Sequence, residues 1–288
     1  MKKMNKMIAV MVILILFSCT KEEEKTPVDT TMPIWIIGDS TVSDYEENDA
    51  HRGWGQVIKT IFKNSSRVDN RARSGASSKS FKVSNDNYDN NDFWGDGATK
   101  NENGKSGLKE DIKNADTSKG GYLFIQFGHN DIFWDAYKEE LTTVPGEGNE
   151  FDKMLMEYIS FAKANNVTAV LVTPMARMYT DQTDDYRHTA MLSNVPSAWS
   201  DMEGKKGDWP QTMKDIAKRE NLILLDLTTI SVEHFATFES DQAIKNMYSW
   251  DGNDATHFNE KGAKKMTEFI VELACKADET LCAQFEGH

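Results

Sequence analysis

From Pro33 onward the chain alternates short β-rich apolar runs with segments of helical hydrophobic period. Apolar runs at residues 34–37, 67–72, 122–127, 168–173 and 222–227 read as strands. Helical periods cover 55–62, 108–114, 151–164 and 212–220, and a last helix is predicted over 260–275 with Asn259 as its cap. Parallel strands need a crossover, and crossover helices cover both faces of the sheet. The expected fold is therefore α/β, a flavodoxin-like three-layer sandwich on a five-stranded parallel sheet in the order 2-1-3-4-5. No internal repeat or second domain boundary interrupts residues 33–288.

The connections that run from strand to helix are long at 82–107, 132–150 and 175–209. Compact domains seldom keep structureless loops of more than about 12–15 residues unless the loops have work to do. In a parallel sheet such loops gather over the carboxyl ends of the strands, where ligands bind. Polar residues collect at those same ends: Gly38-Asp39-Ser40-Thr41 after the first strand, Ser74-Gly75 after the second and Gly128-His129-Asn130-Asp131 after the third. Asp254-Ala255-Thr256-His257 precedes the last helix.

Acyl transfer requires a hydroxyl nucleophile, a base, a carboxylate that orients the base and N–H donors for the oxyanion. Ser40, His257 and Asp254 supply the first three, and the spacing of Asp254 and His257 puts both on one side of a turn. Candidate oxyanion donors are the backbone N–H of Ser40, the backbone N–H of Gly75 and the side-chain amide of Asn130. Glycine at position 75 would let a substrate approach that N–H closely. In the 2-1-3-4-5 order the first strand lies between the second and third, so Ser40, Gly75 and Asn130 would converge.

Gly38-Asp39-Ser40, Gly75, Gly128-His129-Asn130-Asp131 and Asp254-Ala255-Thr256-His257 together resemble, in order, the four marker blocks of the SGNH (GDSL-type) hydrolases. Gly38-Asp39-Ser40-Thr41-Val42, Gly53-Trp54-Gly55, the stretch 70–81, and Thr173-Pro174 with Arg177 are similar to rhamnogalacturonan acetylesterases within that superfamily. The resemblance implies removal of O-acetyl groups from pectic polysaccharide, with no metal and no organic cofactor. It carries the triad onto Ser40, Asp254 and His257, and the oxyanion donors onto Ser40, Gly75 and Asn130. The polar insert at 84–104 has no counterpart in that pattern.

Tryptophan and charge refine the substrate expectation. Trp94, Trp134, Trp199, Trp209 and Trp250 fall in or beside the long loops, whereas Trp35 is in a strand and Trp54 opens a helix. Aromatic faces with a polar handle suit sugar rings. The net charge of −13 argues against nucleic-acid binding, which needs a dense Lys/Arg surface. It would also repel galacturonate unless cations cluster locally, and Arg73, Lys79, Arg177, Arg187 and His188 are the candidates. A neutral acetylated backbone such as xylan or mannan would remove the conflict. Two other classes share parts of the pattern. A glycan-binding protein would not need the triad, and a lipase or thioesterase would want an apolar acyl groove rather than an Asn/Asp/Gly-rich rim.

The amino terminus adds an address. Lys2, Lys3 and Lys6 precede an apolar run from Ile8 to Phe17, which is too short to span a membrane at roughly 20 residues and reads as an export signal. Ser18-Cys19 resembles the end of a bacterial lipoprotein signal, with residues 1–18 removed and Cys19 lipidated. Residues 19–32 then form a tether, and Thr20-Lys21-Glu22-Glu23-Glu24-Lys25 resembles the acidic stretch that directs some Bacteroidetes lipoproteins to the outer cell surface. The expected location is the outer membrane, facing either the cell surface or the periplasm, with the lipid as the only membrane contact. Loss of residues 1–18 would take three lysines and no acid, leaving a net charge of −16. Cys275 and Cys282 remain, close enough in sequence to form a disulfide in an oxidising compartment.

Overall fold

The computed structural model describes residues 29–82, 94–95, 107–131, 143, 145–180 and 208–287. The export signal, Cys19, Trp134, Trp199, Arg187 and His188 lie outside the described residues, as does all of the insert except Trp94 and Gly95. Five parallel strands, β1 (Ile34–Ile37), β2 (Val68–Asn70), β3 (Tyr122–Ile125), β4 (Thr168–Val172) and β5 (Ile223–Leu225), stand in the order β2-β1-β3-β4-β5. The register places Ile34 against both Val68 and Tyr122, and Tyr122 against Thr168.

The central strands are buried on both sides, which is why they read as continuous apolar runs rather than alternating ones. Their period of two sends Ile34 and Ile36 of β1 into one core, and Trp35 and Ile37 into the other. The first core is roofed by α1 (Trp54–Ile58), α5 (Leu227–Phe235), α6 (Asp241–Tyr248) and α7 (Glu260–Ala277). Helices α2 (Leu108–Asn114), α3 (Glu150–Ala164) and α4 (Trp209–Glu220) cover the second. Burying one such side chain contributes roughly 1.5–3 kcal/mol, and the two cores are what hold the strand ends rigid beneath the loops.

Several ends differ from the sequence expectation for local reasons. Helix α1 stops at Ile58 and tightens into a 3₁₀ turn at Lys59–Ile61. Helix α4 starts at Trp209 rather than 212, because Asp208 caps it by accepting from the Gln211 N–H and Pro210 fits the first turn. Asn259 caps α7 as expected, accepting from the Gly262 N–H. Cys275, in the last turns of α7, is disulfide-bonded to Cys282 at the end of α8 (Glu279–Cys282).

Candidate active site

Ser40 sits in a tight turn just past β1 whose shape is set by its neighbours. The Asp39 carboxylate accepts from the backbone N–H (2.9 Å) and the hydroxyl (2.7 Å) of Thr41, while the Asp39 carbonyl accepts from the N–H groups of Val42 and Ser43. Gly38 is required here, since a Cβ would stand 2.7 Å from Val42 Cγ2 and 2.8 Å from the Gln126 carbonyl oxygen. Gln126 donates to the Thr41 hydroxyl (2.7 Å) and accepts from the Trp54 indole (2.8 Å), so the turn is bolted to β3 and α1. Neither Gln126 nor this use of Trp54 was foreseeable from spacing. Burial pushes the Asp39 carboxyl up to about 6, against the lowering effect of the Thr41 hydrogen bonds.

Over this turn lies a continuous polar line. The Ser40 hydroxyl is 2.9 Å from His257 Nε2, and His257 Nδ1 is 2.7 Å from Asp254 Oδ2. Asp254 Oδ1 accepts from the backbone N–H groups of Thr256 and His257, and Oδ2 accepts from the Trp250 indole at 3.3 Å. Partial burial acts to raise the Asp254 carboxyl, but the hydrogen bonds from His257 and Thr256 outweigh it and hold the group well below the usual carboxylate range. A fixed anion on Nδ1 keeps the imidazole proton there and leaves Nε2 free to accept from Ser40. Such an arrangement can draw a proton off a hydroxyl and stabilise the imidazolium that results.

On the other side, the loops after β2 and β3 are stapled together. Asn130 is buried and donates through Nδ2 to the Ala76 carbonyl at 3.0 Å. Asp131 accepts from the Ser78 N–H and hydroxyl and from the Thr143 hydroxyl, and Tyr158 donates to the Ser78 carbonyl at 2.6 Å. Burial lifts the Asp131 carboxyl to about 7 despite those bonds. Gly75 has φ +77°, a left-handed conformation that selects glycine, and a Cβ there would meet no protein atom within 4 Å. The conformation, not crowding, is the structural reason for that glycine. His129 is fully buried, and its burial, reinforced by the Arg177 and His257 charges, lowers it well below the usual imidazole range.

The aromatic expectation divides. Trp250 is 38% exposed and adjoins Asp254, as a substrate contact would. Trp94 does not belong to the rim: it is 3% exposed and packs edge-on against Tyr158 and Phe161 of α3. Trp209 is likewise fully buried, because it opens α4 rather than ending a loop, and its indole donates to the Thr143 hydroxyl at 3.3 Å. A tryptophan in a long connection and one in a helix's first turn look alike until the helix start is known. Among the cations, Arg177 donates to the Thr256 hydroxyl at 2.8 Å, next to the triad. Lys79 instead pairs with Glu150 at 2.9 Å, and Arg73 is half-buried with its backbone N–H on the Gly38 carbonyl.

A parallel sheet with a serine, a histidine and an aspartate aligned over its carboxyl edge is the frame of an acyl hydrolase. The GDSL-like lipase/acylhydrolase family model matches residues 34–270, and the chain belongs to that family; it is an esterase. It is 28% identical to the probable rhamnogalacturonan acetylesterase YesY of Bacillus subtilis, over 83% of this chain and 90% of the relative. It is 29% identical to the rhamnogalacturonan acetylesterase RhgT of the same organism, over 83% of this chain and 88% of the relative. Among solved structures, the B. subtilis protein YxiM superposes with a TM-score of 0.58 at 24% identity, covering 87% of this chain but only 57% of that longer chain. A catalytic mutant of Axe2, an acetylxylan esterase from Geobacillus stearothermophilus, superposes with a TM-score of 0.52 at 14% identity, covering 86% of this chain and 96% of that one. These two likenesses concern the fold.

Proposed function

We propose that the protein is a carbohydrate acetylesterase that removes O-acetyl groups from a plant cell-wall polysaccharide, pectic rhamnogalacturonan foremost, through an acetyl-enzyme on Ser40. The observation that carries this reading is the Ser40–His257–Asp254 line, with hydrogen-bond distances of 2.9 and 2.7 Å. The names of the two curated relatives favour the substrate class. His257 takes the Ser40 proton as Oγ attacks the acetyl carbonyl, and the oxyanion accepts from the Ser40 and Gly75 N–H groups and the Asn130 amide. Collapse breaks the ester bond, and His257 returns the proton to the departing sugar oxygen. Water then enters by the same route and releases acetate.

One observation favours a neutral acetylated glycan such as xylan instead: Lys79, a member of the cationic patch that an anionic backbone would need, is already paired with Glu150. Acetate release from a panel of acetylated rhamnogalacturonan, xylan and mannan separates the two. Release from rhamnogalacturonan above the others is expected. Release from xylan or mannan alone would move the assignment to a neutral backbone, and an enzyme that cleaves aryl acetates but no polysaccharide would sink the carbohydrate reading.

For the oxyanion donors, Asn130→Ala should lower kcat on the order of 100–1000-fold, the usual loss for one such donor. Because Asn130 also ties the Ala76 carbonyl, the melting temperature should be followed alongside. A fall of less than about tenfold in a folded variant would remove Asn130 from the oxyanion site.

A further inference from the structure

Beside the triad lies a second imidazole–carboxylate pair that the acetyl-transfer steps do not use. His51 Nδ1 is 2.7 Å from Asp49 Oδ1, the same separation as His257 from Asp254. The His51 ring stacks on Trp250 with centroids 4.2 Å apart, lies against Tyr45 at 5.3 Å, and meets His257 edge-on at 5.8 Å. Trp250 in turn donates its indole N–H to Asp254 Oδ2, and Tyr45 donates its hydroxyl to the Ser40 carbonyl at 2.8 Å. The Tyr45–His51–Trp250 stack therefore touches both ends of the triad.

This loop is held in place before any substrate arrives. The Arg52 guanidinium donates to the carbonyls of Glu46, Glu47, Asp49 and His51, and the Arg52 N–H donates to the Phe258 carbonyl at 2.8 Å. Gln56 exchanges two hydrogen bonds with the Tyr45 backbone, at 3.1 and 2.9 Å. Yet the stack itself is open to solvent: the His51 side chain is 25% exposed and Trp250 is 38% exposed. Asp49 holds the neutral ring's proton on Nδ1, which makes Nε2 a hydrogen-bond acceptor, and Nε2 has no partner among the described residues.

We propose that His51 and Trp250 form the subsite for the departing sugar: Trp250 offers its exposed face to the ring, and His51 Nε2 accepts a hydrogen bond from a hydroxyl next to the one that carries the acetyl group. This rests on the ester-hydrolase reading of Ser40 and His257. The leaving oxygen must collect its proton from His257, so the sugar must lie on the His257 side of Ser40. That is the side the stack occupies, since His51 meets the His257 ring edge-on and Trp250 bonds to Asp254. An acceptor fixed by a carboxylate and pressed between two rings favours a sugar alcohol over a leaving group without hydroxyls, since only the former makes a direct hydrogen bond to it.

The test compares an acetylated oligosaccharide with an aryl acetate on the full chain. The oligosaccharide is derived from whichever polysaccharide the wild type deacetylates best. His51→Phe keeps the stack and deletes the acceptor. The ratio of kcat/KM for the oligosaccharide to that for the aryl acetate should fall at least about tenfold, chiefly through KM. Binding of the deacetylated oligosaccharide to Ser40→Ala protein, followed by tryptophan fluorescence, should weaken to a similar extent when His51→Phe is added. Equal losses on both substrates would make His51 only a support for His257 and overturn the proposal, as would a ratio that does not move. Failure of the wild type to release acetate from any glycan while cleaving aryl acetate would strike the carbohydrate reading itself, and is told apart by being visible before any variant is made.

Discussion

Ser40→Ala is expected to reduce kcat by on the order of 10⁴–10⁶-fold on every ester the enzyme cleaves, while leaving the protein folded. The size follows from the unit character of a nucleophile, base and orienting carboxylate: without the hydroxyl no acyl-enzyme forms, and only oxyanion stabilisation and binding remain. The sparing of the fold follows from the local structure. Among the described residues the Ser40 hydroxyl bonds only to His257 Nε2, whereas the turn is shaped by Asp39, Thr41 and Gln126. Loss of one partly buried hydrogen bond costs about 0.5–1.5 kcal/mol, so a shift of a few degrees in Tm is the most that should be seen. The assay is a burst and steady-state measurement with an aryl acetate, together with far-ultraviolet circular dichroism. A folded Ser40→Ala protein that retained even a hundredth of wild-type turnover would remove Ser40 as the nucleophile.

The architecture was largely legible because the features that carry it are local and periodic. β1, β3 and β4 are runs buried on both faces, and Asn259 advertises the start of α7. The candidate site residues were legible because most of them sit at strand ends, and strand ends follow once the strands are placed. Helices α5 and α6 escaped detection although Asp226 and Ser240, which accept from the Thr229 and Ala243 N–H groups, mark their starts. Helix α5 is the harder to see, since β-branched Thr228, Thr229, Ile230 and Val232 argue against a helix that tertiary packing imposes. Trp94 and Trp209 went astray for a related reason: an indole suits a core as well as a sugar, and only the folded chain shows which neighbour it meets. His51 carried no signal at all. It lies in a polar loop without periodicity and gains meaning only when that loop is laid against Trp250 and His257.

Asp254→Asn should lower kcat by about 10⁴-fold while leaving Ser40 and His257 in place, because the substitution sends the imidazole into the wrong tautomer. Asp254 serves four donors: Oδ1 takes the Thr256 and His257 N–H groups at 2.5 and 3.1 Å, and Oδ2 takes His257 Nδ1 and the Trp250 indole. Asparagine has one oxygen. The two backbone donors, fixed by the turn, claim it, and the amide NH₂ then faces His257 Nδ1. That nitrogen must accept, its proton moves to Nε2, and Nε2 can no longer take a proton from Ser40. The pH dependence of stability should change with it. Hydrogen bonds hold the Asp254 carboxyl below its unfolded value of about 4. Its contribution is therefore full above that value and is lost progressively as pH falls below it, through the depressed folded value. The stability deficit of Asp254→Asn should be largest near pH 7 and shrink as the pH is lowered past about 4, as read from denaturant midpoints across that range. Wild-type-like turnover at pH 7 would show that the carboxylate does not orient His257, and a deficit that grew on acidification would show that Asp254 is not ionised in the native state.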